Sequence, residues 1–436
     1  MNIESVQKRI IMLLLGILPY HYFLFSVLFK RIGFLTIYRD LLIVVLLVLS
    51  VIKYTFGSKK ISLKQNYMPI IVLVIFGVFI FKSQNLVQAL TISRVYFGPI
   101  VLLMCTMAIN FTEKEMGIIR KINLTNAIVI CIYGVFQAYC LGADYLIKLG
   151  YGKGDSDELG ASLYLSNSSG SILGRSIQRV ISTFSAANMC AFYLCCILIF
   201  LYFYNEDRFF PICSNNKKKI IQLVIISITI LLTFSRSCWL GLGVAYLFHL
   251  YKRKKLSFKT IKYVLLIIAL FVVAMVVARD NPLVKGISHI ILSSFSGSDT
   301  SIMSHAESIE SALVTINDNP FGVGLGKSGP RAVEYGDINL VESSYLLMCF
   351  EIGIVGSILY FFIFLRIFIK NQAKNYGQCI LILFALICFI NIPYIQEYEC
   401  MAVFAILIGC MNSNKKGRRK GNEIYCILPS AISCDT

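Results

Sequence analysis

Long apolar stretches separated by short polar connections run through the whole chain. They fall at about 10–29, 35–52, 67–82, 88–110, 124–142, 183–204, 219–235, 237–251, 261–278, 342–365, 377–394 and 397–412. A transmembrane helix needs roughly 20 mostly apolar residues, so each stretch is a candidate span. The stretches are continuous rather than alternating, which excludes a transmembrane β-barrel. The pattern predicts an all-α polytopic membrane protein with about twelve transmembrane helices.

The composition and the charge distribution agree with this prediction. Of 436 residues, 57% are apolar and 15% are charged, whereas soluble globular chains are about 45–50% apolar and about 25% charged. The termini and alternate connections hold 27 of the 41 Lys and Arg residues, which by the positive-inside rule places both termini in the cytoplasm. Basic clusters such as 217–219, 252–255 and 415–420 then face anionic lipid, and no nucleic acid partner is expected.

Two predicted extracytoplasmic loops are longer than a connection requires. We expect helices over 1–142, a loop over 143–182, helices over 183–278, a large loop over 279–341, helices over 342–412 and a basic cytoplasmic tail over 413–436. Long loops usually carry function, so the working face is expected outside the cytoplasm. Neither loop contains a cysteine, and no metal-ligand spacing occurs in the chain. We therefore expect no disulfide framework, no metal and no cofactor.

Two arginines stand beside hydroxyl residues at the predicted outer membrane edge. Arg179 precedes the span at 183–204, and Arg236 follows Ser235 in the tight turn before the span at 237–251. Guanidinium groups pair with phosphate oxygens in a bidentate manner and stay charged at physiological pH, so the two arginines suit a phosphate or diphosphate at headgroup depth. The alternative is that each side chain merely reaches lipid headgroups.

The second long loop contains a predicted amphipathic helix at 301–313. Ile309, Ala312, Leu313 and Ile316 share one stripe at the helical period, and His305 falls on the same stripe. The helix is expected to lie against the outer surface. His305 either faces an active site or is a packed, hydrogen-bonded histidine.

A proline and three alternating glycines follow this helix. Pro320 ends it, and Gly322, Gly324 and Gly326 come next. Glycine permits tight turns and a close approach of the backbone to a ligand. The pattern does not join a strand to a helix, so a nucleotide-binding loop is not indicated.

Two carboxylates mark the span that begins near 342. Glu342 stands at its N-terminus, where the helix dipole favours a negative charge by roughly 0.3–1 kcal/mol. It is either a capping acid or a base able to deprotonate a sugar hydroxyl. Glu351 lies about 13 Å deeper along the helix. A carboxyl group buried there must be either protonated or paired, and Arg94 is a candidate partner by depth alone. We interpret Glu351, Arg94 and Asp40 as structural residues.

Five motifs follow one another between about residues 175 and 360. They are Arg179 with Thr183-Phe184-Ser185-Ala186-Ala187-Asn188, then Leu232-Thr233-Phe234-Ser235-Arg236-Ser237, Asn319-Pro320-Phe321-Gly322-Val323-Gly324-Leu325-Gly326, Glu342-Ser343-Ser344-Tyr345 and Glu351-Ile352-Gly353-Ile354-Val355-Gly356. In this order they resemble the O-antigen ligase and Wzy-type polymerase superfamily. The resemblance implies a GT-C-like glycosyltransferase of the bacterial cytoplasmic (inner) membrane. It also implies that Arg179 and Arg236 hold the diphosphate of an undecaprenyl-linked sugar.

One position departs from the ligase branch, which carries a histidine where this chain has Glu342. Ser343, Gly353 and Gly356 keep the spacing. The missing imidazole favours a polymerase of capsule, exopolysaccharide or O-antigen repeat units over a ligase. The segment around His305 is also similar to capsule polymerases.

The resemblance implies transfer of a growing glycan from undecaprenyl diphosphate to a hydroxyl of the next lipid-linked unit. Arg179 and Arg236 would neutralise the leaving diphosphate, and Glu342, or else His305, would take the hydroxyl proton. Substrate-binding candidates are Arg179, Arg236, Ser235, Gly324, Gly326, Ser343 and Tyr345, with Tyr151, Tyr164 and Tyr335 as further rings for sugar stacking. The implied partners are the donor and acceptor lipid-linked oligosaccharides, the bilayer, a chain-length regulator and a flippase.

Two other functions fit part of the pattern. A twelve-helix flippase or exporter explains the helix count and the intramembrane charges, but a carrier is expected to place functional charge near the midplane rather than at one edge. A ligase that attaches the glycan to another acceptor would use the same site and differ only in its acceptor.

Overall fold

The computed structural model describes residues 3–29, 37–56, 63–83, 85–151, 171–172, 175–176, 178–204, 217–252, 300–329, 331–332, 340–372 and 375–425. The helices within these ranges are α1 (Ile3–Ile17), α2 (Tyr38–Thr55), α3 (Leu63–Lys82), α4 (Leu86–Ala108), α5 (Glu113–Phe136), α6 (Gly142–Leu149), α7 (Ala187–Tyr204), α8 (Lys217–Leu232), α9 (Arg236–Lys252), α10 (Thr300–Asp318), α11 (Ser344–Asn371), α12 (Tyr376–Cys388) and α13 (Tyr398–Tyr425). Short 3₁₀ and π segments occupy Leu18–Tyr20, Tyr22–Leu28, Gln137–Leu141 and Tyr394–Gln396. A hairpin pairs β1 (Ser171–Ile172) antiparallel to β2 (Arg175–Ser176).

Every predicted span except 261–278 overlaps one of these helices, and 261–278 lies outside the described residues. The helical stretches Leu86–Ala108, Glu113–Leu149 and Ser344–Asn371 are long and apolar enough to cross a membrane, and shorter apolar helices accompany them. The all-α, polytopic membrane class is therefore supported. The number of spans, the loop and tail boundaries and the orientation of the termini stay predictions.

The centre of the bundle is formed by α4 and α13, which pack closely along each other. The approach is close because glycines face large neighbours. A Cβ on Gly98 would lie 2.5 Å from the ring of Tyr398, and a Cβ on Gly409 would clash with Thr106. A buried aromatic core surrounds this pair, and it includes Phe192 of α7, Phe384 of α12, Phe389 just after α12 and Phe404 of α13. Packing of this density fixes where each helix ends.

The two ends of the bundle differ in character. At one end, Lys53 pairs with Glu4 at 2.8 Å and Lys8 pairs with Glu115 at 2.9 Å. Although burial opposes it, these lysines hold the pKa of Glu4 below its usual value. The opposite end carries the starts of α2, α7, α9, α11 and α13 together with the ends of α8 and α12. We call this second end the site end, because the predicted site residues that the structure describes lie there.

Candidate functional site at one end of the bundle

Arg179 is fixed against the turn that joins α8 to α9. The side chain is half-buried, its Nε donates to the carbonyl of Thr233 at 2.9 Å, and its Nη2 donates to Oδ1 of Asn188 at 2.7 Å. The neighbouring backbone is joined to the same turn, since the N–H of Val180 donates to the carbonyl of Leu232 at 3.2 Å. The structure thus brings Arg179, far away in sequence, to the turn that carries Arg236.

Arg236 is the first residue of α9 and is exposed. The turn before it is sharp, because Phe234 has a left-handed backbone conformation with φ of 51°. Burial lowers the pKa of Arg179 to about 10, and the positive charge of Arg236 contributes to the shift. The guanidinium group of Arg179 therefore remains protonated at neutral pH. Two like charges held near each other at a helix N-terminus favour an anion beside them.

A buried tyrosine that the sequence analysis missed lies beneath these arginines. Tyr394 belongs to the α12–α13 connection (Phe389–Glu397), and its hydroxyl donates to the carbonyl of Asn188 at 3.3 Å and lies 3.3 Å from Sγ of Cys238. Its ring stacks on Phe192 with centroids 4.5 Å apart. The predicted span at 377–394 placed Tyr394 inside a helix, but α12 ends at Cys388. Pro393 was the one sequence signal that the helix ends before Tyr394, because proline interrupts helices.

Glu342 lies just before α11, which begins at Ser344 with Ser343 as its N-cap. It therefore stands one residue before the N-cap, still at the positive end of the helix dipole. Both interpretations, capping acid and base, stay predictions. Its backbone N–H donates to Oγ of Ser308 on α10 at 3.3 Å, and this hydroxyl donates to the carbonyl of Leu340 at 2.6 Å. The predicted amphipathic helix α10 is thus attached to the backbone of Glu342.

The start of α11 is joined to the α12–α13 connection. Ser344 Oγ donates to the carbonyl of Ile392 at 2.6 Å, and Ser343 Oγ donates to that of Phe389 at 3.4 Å. Tyr345 is half-buried and its hydroxyl donates to the carbonyl of Leu386 at 2.8 Å. The α12–α13 connection is therefore the common neighbour of Arg179, through Tyr394, and of Glu342.

The predicted stripe of α10 is only partly confirmed. Ala312 and Ile316 are buried, whereas 38% of Ile309 and 51% of Leu313 are exposed. The inward face is narrower than the sequence pattern indicated, because the helix rests on the bundle along one i, i+4 row. The side chain of His305 lies outside what the structure describes, so its role stays a prediction.

The glycine loop (Pro320–Gly326) contacts α11. The N–H of Gly324 donates to the carbonyl of Glu351 at 3.0 Å, and the N–H of Gly326 donates to Oε1 of Glu351, also at 3.0 Å. Both amides thus have acceptors within the chain. The part of Gly324 and Gly326 in binding substrate stays a prediction.

The predicted pairing of Glu351 with Arg94 is wrong. Glu351 is fully buried and accepts a hydrogen bond from the hydroxyl of Tyr96 at 2.7 Å. Arg94 instead contacts Asp40, with Nη1 3.2 Å from Oδ2. Depth alone could not separate these partners, because Arg94 and Tyr96 are only two residues apart on α4.

A second charged cluster at the site end was not predicted. Arg39 on α2 donates to Glu399 on α13, and Nε2 of His21 lies 3.6 Å from the same carboxylate. The guanidinium carbon of Arg39 lies 4.2 Å from the ring centroid of Tyr398. Arg39 is buried, so the cluster joins the ends of α1, α2 and α13 rather than offering an open charge.

Among the remaining rings predicted to stack on sugars, Tyr151 is buried and donates to the carbonyl of Ser182 at 3.1 Å. Tyr164 and Tyr335 lie outside the described residues. Their part in glycan binding stays a prediction.

Comparison with known families tests the relationship to the O-antigen ligase and Wzy superfamily that the motifs indicated. Residues 221–361 match the family model described as O-antigen ligase. The resemblance to the O-antigen ligase and Wzy superfamily is confirmed. The O-antigen ligase segment runs from α8 into α11 and contains Arg236, His305 and Glu342, but it begins after Arg179. No curated protein matches the chain. The matched segment supports a relationship to the membrane glycan transferases of the O-antigen ligase and polymerase type.

Proposed function

We propose that the protein is a polymerase that joins undecaprenyl-diphosphate-linked oligosaccharide repeat units at the outer face of the bacterial cytoplasmic membrane. The product would be a capsule, an exopolysaccharide or an O-antigen. The observation that carries the proposal is the pair of arginines at the α8–α9 turn. Arg179 is held by Thr233 and Asn188, and Arg236 stands exposed at the start of α9. This arrangement suits a diphosphate better than a single headgroup phosphate, because two fixed guanidinium groups can each pair with one phosphoryl group.

The reaction that fits this site is a glycosyl transfer between two lipid-linked substrates. The hydroxyl oxygen of the acceptor sugar bonds to the anomeric carbon of the donor. The bond from that carbon to the diphosphate oxygen breaks, and the lipid diphosphate leaves with the electron pair. Arg179 and Arg236 stabilise the charge on the departing diphosphate. The hydroxyl proton passes to Glu342, with His305 as the second candidate base.

The second candidate function is a ligase, and the description of the matching family model favours it. A ligase would use the same arginines and transfer the chain to a different acceptor. Glu342 supports the polymerase, because the ligase branch resembled in sequence has a histidine at this position. A flippase is disfavoured by the placement of both arginines at one end of the bundle, since a carrier is expected to bind near the midplane.

The test is the size distribution of surface polysaccharide in a deletion strain complemented with wild type, Arg179→Ala, Arg236→Ala or Glu342→Gln, with protein levels measured. Arg366→Ala, which removes an arginine from the far half of α11, is the matched control. A polymerase predicts single repeat units at the cell surface in the deletion strain and in both site arginine variants. The control variant should give chains of normal length.

Two outcomes would contradict the polymerase. Accumulation of repeat units on the cytoplasmic side of the membrane would indicate a flippase. Long chains that form in the deletion strain but remain on the lipid carrier would indicate a ligase. A normal chain length in both site arginine variants would remove the arginine pair from the mechanism.

A further inference from the structure

The glycine loop replaces hydrogen bonds that α11 loses at an internal break. Gly353 has φ of 75° and ψ of 171°, so the helix is interrupted there. In a continuous helix the carbonyl of Phe350 would accept from the N–H of Ile354. Here it accepts from the N–H of Val323 at 2.9 Å, while the N–H of Ile354 donates to the carbonyl of Pro320 at 3.0 Å. The loop therefore supplies the partners that buried backbone groups require.

The contact is possible only because glycine occupies both sides of it. A Cβ on Gly322 would lie 2.5 Å from the backbone nitrogen of Gly353, and a Cβ on Gly353 would lie 2.6 Å from the carbonyl carbon of Phe321. Both glycines have positive φ, 79° and 75°, a conformation that costs other residues strain. The loop and the break thus form one rigid unit.

Glu351 holds this unit together from inside the bundle. Its Oε1 accepts from the N–H of Gly326 at 3.0 Å, and its Oε2 accepts from the hydroxyl of Tyr96 at 2.7 Å. Gln396 reinforces the arrangement, because its Nε2 donates to the carbonyl of Ser328 at 2.8 Å. Nε2 of Gln396 also donates to Oε1 of Glu351, at 3.5 Å. All of these donors are neutral, so the carboxyl group serves here as a hydrogen-bond acceptor for the loop rather than as half of an ion pair.

The same unit determines the position of Glu342. The glycine loop follows directly from the end of α10, and Ser308 in the middle of α10 is hydrogen-bonded to Leu340 and to the backbone of Glu342. Helix α10 is thus attached to α11 at two points, at the break and just before the N-cap. A displacement of the loop would therefore move α10 and the segment that carries Glu342.

We propose that Glu351 is a positioning residue that fixes the glycine loop in the break of α11 and thereby fixes the segment that carries Glu342 at the site end. The effect on catalysis rests on the proposed function. The effect on the loop does not depend on the proposed function, and it can be measured in the absence of any reaction.

The experiment compares Glu351→Ala, Glu351→Gln and the exposed control Glu310→Gln in purified protein. Hydrogen exchange of the backbone amides in peptides covering 319–329 is measured first. Loss of the acceptor in Glu351→Ala should make this exchange about tenfold faster. Glu351→Gln keeps an oxygen that can accept from Gly326, so its exchange should stay near that of wild type and of Glu310→Gln.

Polymerisation of lipid-linked repeat units is then measured with the same variants. Glu351→Ala should lower kcat about tenfold and leave KM for the donor unchanged, because the arginines are intact. Glu351→Gln should recover most of kcat with an unaltered pH profile. Because Gln cannot transfer a proton, equal loss of activity in Glu351→Gln and Glu351→Ala, with the loop still protected in Glu351→Gln, would overturn the positioning role.

Unchanged exchange in Glu351→Ala would overturn the proposal as well. If wild type polymerises nothing while Glu351→Ala loosens the loop, the proposed function has failed and the attachment of the loop by Glu351 stands. Should Glu351→Ala not yield folded protein, Ser308→Ala tests the other attachment. Ser308→Ala should lower kcat, while the backbone amides of 319–329 exchange at the wild-type rate. A normal kcat in Ser308→Ala would contradict the link to Glu342.

Discussion

Asn188 fixes the direction of Arg179 through one hydrogen bond, from Nη2 of the arginine to Oδ1 of the asparagine at 2.7 Å. Because the amide oxygen is neutral, this contact orients the guanidinium group and leaves its positive charge available. A carboxylate at the same position would orient it equally well and cancel the charge. Replacing Asn188 by a carboxylate would therefore cancel the charge of Arg179 without changing the position of its guanidinium group.

We predict that Asn188→Asp raises KM for the lipid-linked donor about tenfold or more, because the new ion pair competes with the diphosphate for Arg179. Thermal stability should stay the same or increase. The measurement is polymerisation by purified protein as a function of donor concentration. Asn319→Asp, which adds the same charge at an exposed position of the site end, should leave KM unchanged. An unaltered KM in Asn188→Asp would mean that Arg179 does not bind the diphosphate.

Tyr394→Phe tests the α12–α13 connection. The variant keeps the ring stacked on Phe192 but loses the hydroxyl contacts with Asn188 and Cys238. We expect a stability loss of about 0.5–1.5 kcal/mol and a severalfold lower rate of chain growth. Tyr376→Phe is the control, because it removes a hydroxyl that donates to the carbonyl of Phe248 at 3.1 Å at the far end of the bundle. Equal loss of activity in both variants would show that the effect of Tyr394 is one of general stability.

Gly353→Ala should be among the most destabilising single substitutions in the chain. The new methyl group would meet the backbone of Phe321 at 2.6 Å and would sit on a residue with φ of 75°. We expect a loss of more than about 3 kcal/mol in the free energy of unfolding. In Gly243→Ala, the Cβ has no heavy atom within 4 Å, so this control on α9 should be neutral or stabilising by up to about 1 kcal/mol. The measurement is thermal unfolding in detergent, and a mild effect of Gly353→Ala would mean that the break in α11 can be repaired.

The salt-bridged end of the bundle predicts a pH dependence. Lys53 and Lys8 hold the pKa of Glu4 below its unfolded value despite burial. A depressed carboxyl pKa contributes stability above the unfolded pKa, and this contribution disappears as the pH falls through the folded pKa. Wild type should therefore be more stable than Glu4→Gln at pH 7 by about 0.2–1 kcal/mol, and the difference should vanish well below pH 4.5.

Thermal unfolding of both proteins across this pH range measures the effect of Glu4. Glu310→Gln, in which an exposed carboxylate on α10 is removed, should follow wild type at every pH. A difference between wild type and Glu4→Gln that persists at low pH would contradict the ionic origin of the stabilisation.

Hydropathy predicted most of the helices because a membrane helix is specified by composition over about 20 residues. It also predicted that Arg179 and Arg236 share a depth, since both stand where an apolar stretch begins. Composition carries no information on which loops touch. The bonds from Arg179 to Thr233 and Asn188, and the place of Tyr394 beneath them, depend on tertiary packing.

The break in α11 could not be predicted for a different reason. Gly353 stands in an apolar stretch in which a glycine is ordinarily tolerated within a helix. Its backbone becomes non-helical because a loop about 30 residues earlier supplies hydrogen bonds of equal quality. For the same reason, the sequence could not predict that the amides of Val323, Gly324 and Gly326 in that loop donate to α11.

The break also determines how much of α11 faces lipid. All of the exposed large apolar residues of this helix follow Gly353, namely Ile354, Val355, Ile358, Phe362, Leu365 and Ile369. The segment from Ile354 to Asn371 would be about 27 Å long at 1.5 Å per residue, close to the thickness of a bilayer hydrocarbon core of about 30 Å. Gly353 therefore divides α11 into a first segment, Ser344 to Ile352, without exposed large apolar side chains and a second segment that exposes them. Glu351 lies in the first segment and is fully buried, so its carboxyl group faces protein rather than lipid.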